Sequence, residues 1–166
     1  MGEYTHITHP FEPVFDEHSR ILILGSLPSV KSREQGFYYG HPQNRFWKVL
    51  AALTQSDVPQ TIQEKKAFLL RSHIAAWDVI SECDIIGSSD ASIRNVTSTD
   101  LGRVLNSCDI KAIFANGKTA AKLFEKYQRP LVNREIITLP STSPANAAFS
   151  LEKLIAGWQV ITKYLQ

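Results

Sequence analysis

The chain has 166 residues, with 18 Lys and Arg against 16 Asp and Glu for a net charge of +2; that length suits one domain, and so mild a charge does not by itself point to a nucleic-acid partner. Hydrophobic residues at 43% with three Trp, five Tyr and eight Phe exclude a disordered tail, and two isolated cysteines, Cys83 and Cys108, exclude a disulfide framework or a cysteine-held metal. The opening MGEYTHITHPFEP has no apolar signal region and no run approaches the ~18 apolar residues of a membrane span, so the expectation is a single cytoplasmic, nucleoid-associated domain over 1–166, with residues 1–10 a loosely ordered extension.

In chain order, ILILGS at 21–26 reads as a buried strand, followed by a long loop rich in Gly, Pro and aromatic residues. Helical patterns run from Asn44 (NRFWKVLAALTQ) and from Thr61 (TIQEKKAFLLRS), and IAAWDVI at 74–80 forms the second strand. STDLGRVLNS opens a helix at 98–100, IKAIFAN at 110–116 is the third strand, and GKTAAKLFEKY from Gly117 is helical again. REIITLP at 134–140 is the fourth strand, and LEKLIAGWQVITKYL closes the chain as a helix. The four strands are continuously apolar rather than alternating, as strands covered on both faces are. Strands alternating with helices give an α/β fold, three layers αβα around a four-stranded, mostly parallel sheet. Ligands in such folds bind beyond the strands' carboxyl ends, so the loops after Gly25, Asp78, Asn116 and Pro140 should converge on one cleft.

Several chemistries fail at particular residues. Gly25 to Ser32 nearly matches the phosphate-loop pattern but has Val30 where the second glycine belongs, and Gly117-Lys118-Thr119 supplies only half of it. Gly117 reads instead as the turn into a helix. Ser26 lacks the glycine two residues on that a hydrolase elbow needs. His6 and His9 fall in the N-terminal extension, His18 precedes the first strand, His73 reads as a packed or capping residue, and His41 as a structural hydrogen-bonder. His6 and His9 have no carboxylate on their own element, so no metal is expected. No lysine stands in an apolar setting for Schiff-base chemistry, and no cofactor is expected.

Two stretches remain. Tyr38, Tyr39, Phe46 and Trp47 give flat apolar faces near Asn44, which is either an ordinary N-cap or an amide holding a water or a base edge. Ser141-Thr142-Ser143-Pro144-Ala145-Asn146 is either a strand-to-helix turn or a backbone clamp for phosphates.

Together GSLPS at 25–29, GFYYGHPQNRFW at 36–47, AAWDVI at 75–80, IGSSDASI at 86–93, FANGKTAAKLF at 114–124 and LPSTSPANA at 139–147 resemble the hypoxanthine-DNA glycosylases, the deoxyinosine-removing branch of the uracil-DNA glycosylase superfamily. The resemblance covers residues ~10–165 in one register. It implies a monomeric DNA-repair enzyme acting on double-stranded DNA that contains deaminated bases. It makes Asn44 the catalytic polar residue, and Gly25, Ser26 and Leu27 the backbone wall near the damaged nucleotide. It places Tyr38 or Tyr39 against the flipped base, Asn116 at the base edge, and Pro28, Ser29, Ser141, Thr142, Ser143, Pro144 and Asn146 against the DNA. Leu27 and Ser141 stand where classical uracil enzymes carry an acid or amide and a histidine, so the resemblance favours hypoxanthine over uracil. Leu27 and Ser29 also stand where the branch suggests Phe and Gly. A uracil or broad deaminated-base glycosylase and a non-catalytic nucleic-acid-binding module remain as alternatives.

Overall fold

The computed structural model describes residues 2–87 and 89–165. Ile21–Gly25, Ile74–Asp78, Ala112–Asn116 and Ile136–Leu139 form the expected parallel sheet. Ile21, Leu22, Ile23 and Leu24 are all 0% exposed, which is why their run is continuous rather than alternating. Numbered with the elements below, these strands are β2, β3, β6 and β7, in spatial order β3-β2-β6-β7. Gly25 pairs with Asp78, and Asn116 with Leu139, so the four carboxyl ends lie side by side.

The helices follow their caps. Ser29 accepts from the Ser32 amide and opens α1, Val30–Gln35, a helix inside the segment read as loop; Gly36, at φ 81°, ends it. α2 is Phe46–Leu53 and packs on the closing helix α7, Leu151–Trp158. α3, Ile62–Arg71, begins with a full capping box between Thr61 and Glu64. The helix expected from 98–100 is a single turn, α4 at Gly102–Leu105. From Gly117 the chain runs through α5, Lys118–Leu123, a π-helical stretch at Phe124–Gln128 and α6, Arg129–Val132.

A second sheet escaped the sequence. β1, Thr5–Thr8, pairs antiparallel with β4, Ile80–Ile85, which pairs with β5, Arg94–Ser98. Residues 5–8, expected to be loose, are therefore tied down by a main-chain ladder, and His6 adds contacts to Asp84 and Glu82. β4 hid because its register with β5 shifts twice, so that Ile80, Cys83 and Ile85 are buried at uneven spacing. β1 hid because its side chains are mostly exposed and polar, and only its backbone makes it a strand. Of the stretch 86–93, Ser88 lies outside the described residues.

Candidate active site

The carboxyl ends of β2, β3 and β6 and the loop after β7 open on one cleft of about 250 Å³. That is below the ~300–1,000 Å³ of sites for drug-sized ligands, and suits one heterocycle. The cleft is lined by Gly25 to Ser29, Tyr39, Asn44, Asp78, Asn116 and Ser141 to Ser143, among others.

Two carboxamides face this space, and the threonine between them fixes both. The Asn44 Oδ1 accepts from the Phe46 backbone N–H at 3.0 Å and from the Thr142 hydroxyl at 2.8 Å. Asn116 Oδ1 accepts from the Thr142 N–H at 3.0 Å, and its Nδ2 donates to Thr142 Oγ1 at 2.9 Å. Because a backbone N–H can only donate, each amide has one allowed orientation. The hydroxyl proton then has one place to go: Thr142 accepts from Asn116 and donates to Asn44. Both lone pairs of Asn44 Oδ1 are thereby used, and Asn44 turns to the cleft with its Nδ2 donors. The cap bond uses only the oxygen of Asn44, so the cap and the site role weighed for it do not exclude each other.

Thr142 is 0% exposed, which corrects its placement against DNA: it lies beneath the loop and joins the two amides. The rest of that loop is held by a residue missing from the sequence expectations. Arg45 donates its backbone N–H to Thr142 O at 3.1 Å, and its guanidinium donates to the carbonyls of Ser143 (3.0 Å), Asn146 (3.2 Å) and Phe149. Asn146 Nδ2 donates to Ser141 O, and Ser141 Oγ accepts from the Ser143 N–H. Arg45, next to Asn44, reads in sequence as an ordinary solvated cation. Gly117 sits at φ 98°, and a Cβ there would lie 3.1 Å from Ser141 Cβ, so this glycine serves both the turn into α5 and the close approach of the 141–146 loop.

The first loop divides in the same way. Gly25, Ser26, Leu27 and Pro28 line the cleft, whereas Ser29 also spends its hydroxyl capping α1. Leu27 packs against Ile80, Cys83 and Ile85. The tyrosines separate clearly. Tyr38 also borders the cleft, but it is 1% exposed, donates to Glu12 O at 2.8 Å and packs among Phe11, Phe37 and His9, which leaves its ring little open face. Tyr39 lines the cleft, backed by Phe46 at 3.8 Å between ring centroids and 18° between planes.

Burial, with Asp78 next in importance, pushes both phenols far above the ordinary tyrosine range. A raised pKa in the folded chain contributes stability that is complete below the unfolded value of ~10 and is lost as pH rises past it. On spectrophotometric titration at about pH 11, two of the five tyrosines should stay protonated until the chain unfolds. Full ionisation of all five in the folded protein would contradict this burial.

The floor of the cleft holds a second pair absent from the sequence expectations. His9 follows β1 and meets Asp78, the last residue of β3, with Nε2 2.7 Å from Oδ2; their side chains are 6% and 4% exposed. The frayed position expected for His9 is thus a buried one, and its only sequence signal is an Asp at the end of an apolar strand.

An aromatic wall, two oriented amides and room for one base at the carboxyl ends of a parallel sheet fit the class of DNA glycosylases. Residues 12–162 match the family described as the Uracil DNA glycosylase superfamily, and the chain belongs to that superfamily. It is 33% identical over 150 residues to a protein named Hypoxanthine DNA glycosylase from Methanosarcina barkeri, covering 89% of this chain and 93% of that one. A protein of the same name from Methanosarcina acetivorans is 32% identical over 160 residues, covering 95% and 99%. A solution NMR structure from Methanosarcina acetivorans, described as a candidate uracil DNA glycosylase, superposes with a TM-score of 0.77 at 31% identity, over 93% of this chain and 96% of that one. Among the described residues, no helix is long and apolar enough to cross a membrane.

Proposed function

We propose that the chain is a monofunctional hypoxanthine-DNA glycosylase that acts as a monomer on double-stranded DNA, removing hypoxanthine from deoxyinosine and leaving an abasic site. The observation that carries this reading is the one-base cleft whose two carboxamides are each locked by Thr142. The relatives named for hypoxanthine support the choice of base.

An atom inside a duplex cannot be reached, so the nucleotide swings out of the stack at a cost of a few kcal/mol, least when it is mispaired. Burying the base against the aromatic residues of the cleft returns part of that cost. The N9–C1′ bond then breaks with its electron pair leaving on the purine, and the sugar takes on oxocarbenium character. Donors aimed at the site stabilise the departing charge. Water adds its oxygen to C1′ and its proton ends on the purine, so hypoxanthine leaves neutral. A water meeting a cationic sugar needs positioning more than deprotonation, and the Asn44 Nδ2 holds it by one lone pair while the other attacks.

Duplexes carrying one deoxyinosine or deoxyuridine opposite thymine, cytosine, adenine or guanine test this. The expected result is strand scission at deoxyinosine that appears only after alkali. Scission before alkali would mean lyase chemistry, and none at any duplex would leave a binding module. Scission at deoxyuridine alone would favour uracil, the second reading, which the solved neighbour's description supports.

A further inference from the structure

We propose that Asp78, set by His9, is the acceptor that reads the N1–H of hypoxanthine and so separates this base from adenine. The inference rests on the glycosylase reading above and adds to it the residue that selects the base.

The orientation of Asp78 follows from bonds around the histidine. His9 Nδ1 accepts from the Phe11 backbone N–H at 3.1 Å, so the ring carries its proton on Nε2 and donates to Asp78 Oδ2. That leaves Oδ1 as the free oxygen. A Cβ built on Gly25 would lie 2.5 Å from this atom and 3.0 Å from the Tyr39 hydroxyl, so both groups converge over the one residue that has no side chain to occupy the space. The Tyr39 hydroxyl is buried beside the Asn116 amide, whose oxygen is already taken by the Thr142 N–H, so the phenol proton has no acceptor among the described residues. A buried phenol without an acceptor is costly, and a carbonyl oxygen arriving with a ligand would satisfy it. The corner therefore offers an acceptor and a donor.

Hypoxanthine presents the complement: N1–H donates and O6 accepts. Adenine presents N1 as an acceptor and N6 as a donor, so a carboxylate meets a lone pair and is left without a hydrogen bond. Guanine shares N1–H and O6, so this corner separates hypoxanthine from adenine and not from guanine. The second sheet gains a purpose as well, because β1 delivers His9 to the cleft floor.

Asp78→Asn tests the assignment with little change in shape. His9 still donates, so the new amide turns its oxygen to Nε2 and its NH2 to the cleft, and the acceptor becomes a donor. Excision is measured on deoxyinosine and on purine 2′-deoxyriboside, whose N1 only accepts, with both duplexes in one sample so that the folded fraction cancels. The inosine-to-purine ratio should fall by about tenfold or more in Asp78→Asn. It should also fall in His9→Phe, and His9→Gln, which can still donate, should restore part of it. An unchanged ratio in Asp78→Asn, or a wild-type ratio in His9→Phe, would overturn the proposal. The same comparison by binding, on duplexes with 2′-fluoro-deoxyinosine or its purine counterpart, needs no turnover. Absence of wild-type cleavage would therefore sink the glycosylase reading alone, while loss of the binding preference in Asp78→Asn would still support the acceptor and its persistence would reject it.

Discussion

Asn44→Ala should lower hypoxanthine excision by about 10²–10³-fold, and Asn44→Asp should lower it as far while melting like the wild type. The pair is informative because the proposed role of Asn44 and its helix cap use opposite ends of one amide. Its oxygen accepts from Phe46 N–H at the start of α2 and from the Thr142 hydroxyl. Its nitrogen is what the cleft meets. Alanine removes both, so part of its effect is the loss of a helix cap, worth about 0.5–2 kcal/mol of stability. Aspartate keeps an oxygen for the same two donors and puts a charged oxygen, which can only accept, where the NH2 stood. Single-turnover rates on a deoxyinosine duplex beside thermal melts therefore separate the roles. An Asn44→Asp enzyme of near-normal rate would show that the acceptor, and not the donor, serves the reaction.

The division between what the residues announce and what they conceal has physical causes. The parallel sheet was legible because strands buried on both faces leave unbroken apolar runs, as at Ile21–Leu24. The antiparallel sheet was not, since β4 is irregular in register and β1 is held by its backbone. In the site, Asn44 and the 141–146 loop stood out through the resemblance their motifs carry. Thr142, Arg45 and His9 did not, because each works through a partner distant in sequence: Thr142 reaches Asn44 across 98 residues and His9 reaches Asp78 across 69. Such contacts exist only once the chain has folded, and each of these residues looks locally like a turn former, a solvated cation or part of a loose end.

Thr142 is where that concealment matters most. Thr142→Val keeps the shape of the side chain and deletes the hydroxyl that accepts from Asn116 Nδ2 and donates to Asn44 Oδ1. Each amide keeps its backbone anchor and loses its second one, so both are free to swing. A buried polar group deprived of its partner costs about 1–3 kcal/mol, or about 10- to 100-fold where it bears on the transition state. The excision rate should fall by that range in Thr142→Val and recover in Thr142→Ser, which restores the hydroxyl. Thr142 touches no substrate in this account, so its effect should pass through Asn44. Adding Thr142→Val to Asn44→Ala should then cost much less than the two losses multiplied together. Fully multiplicative losses would place Thr142 on a separate route to the reaction, through Asn116 or the 141–146 loop. A wild-type rate in Thr142→Val would show that the backbone bonds alone hold both amides in place.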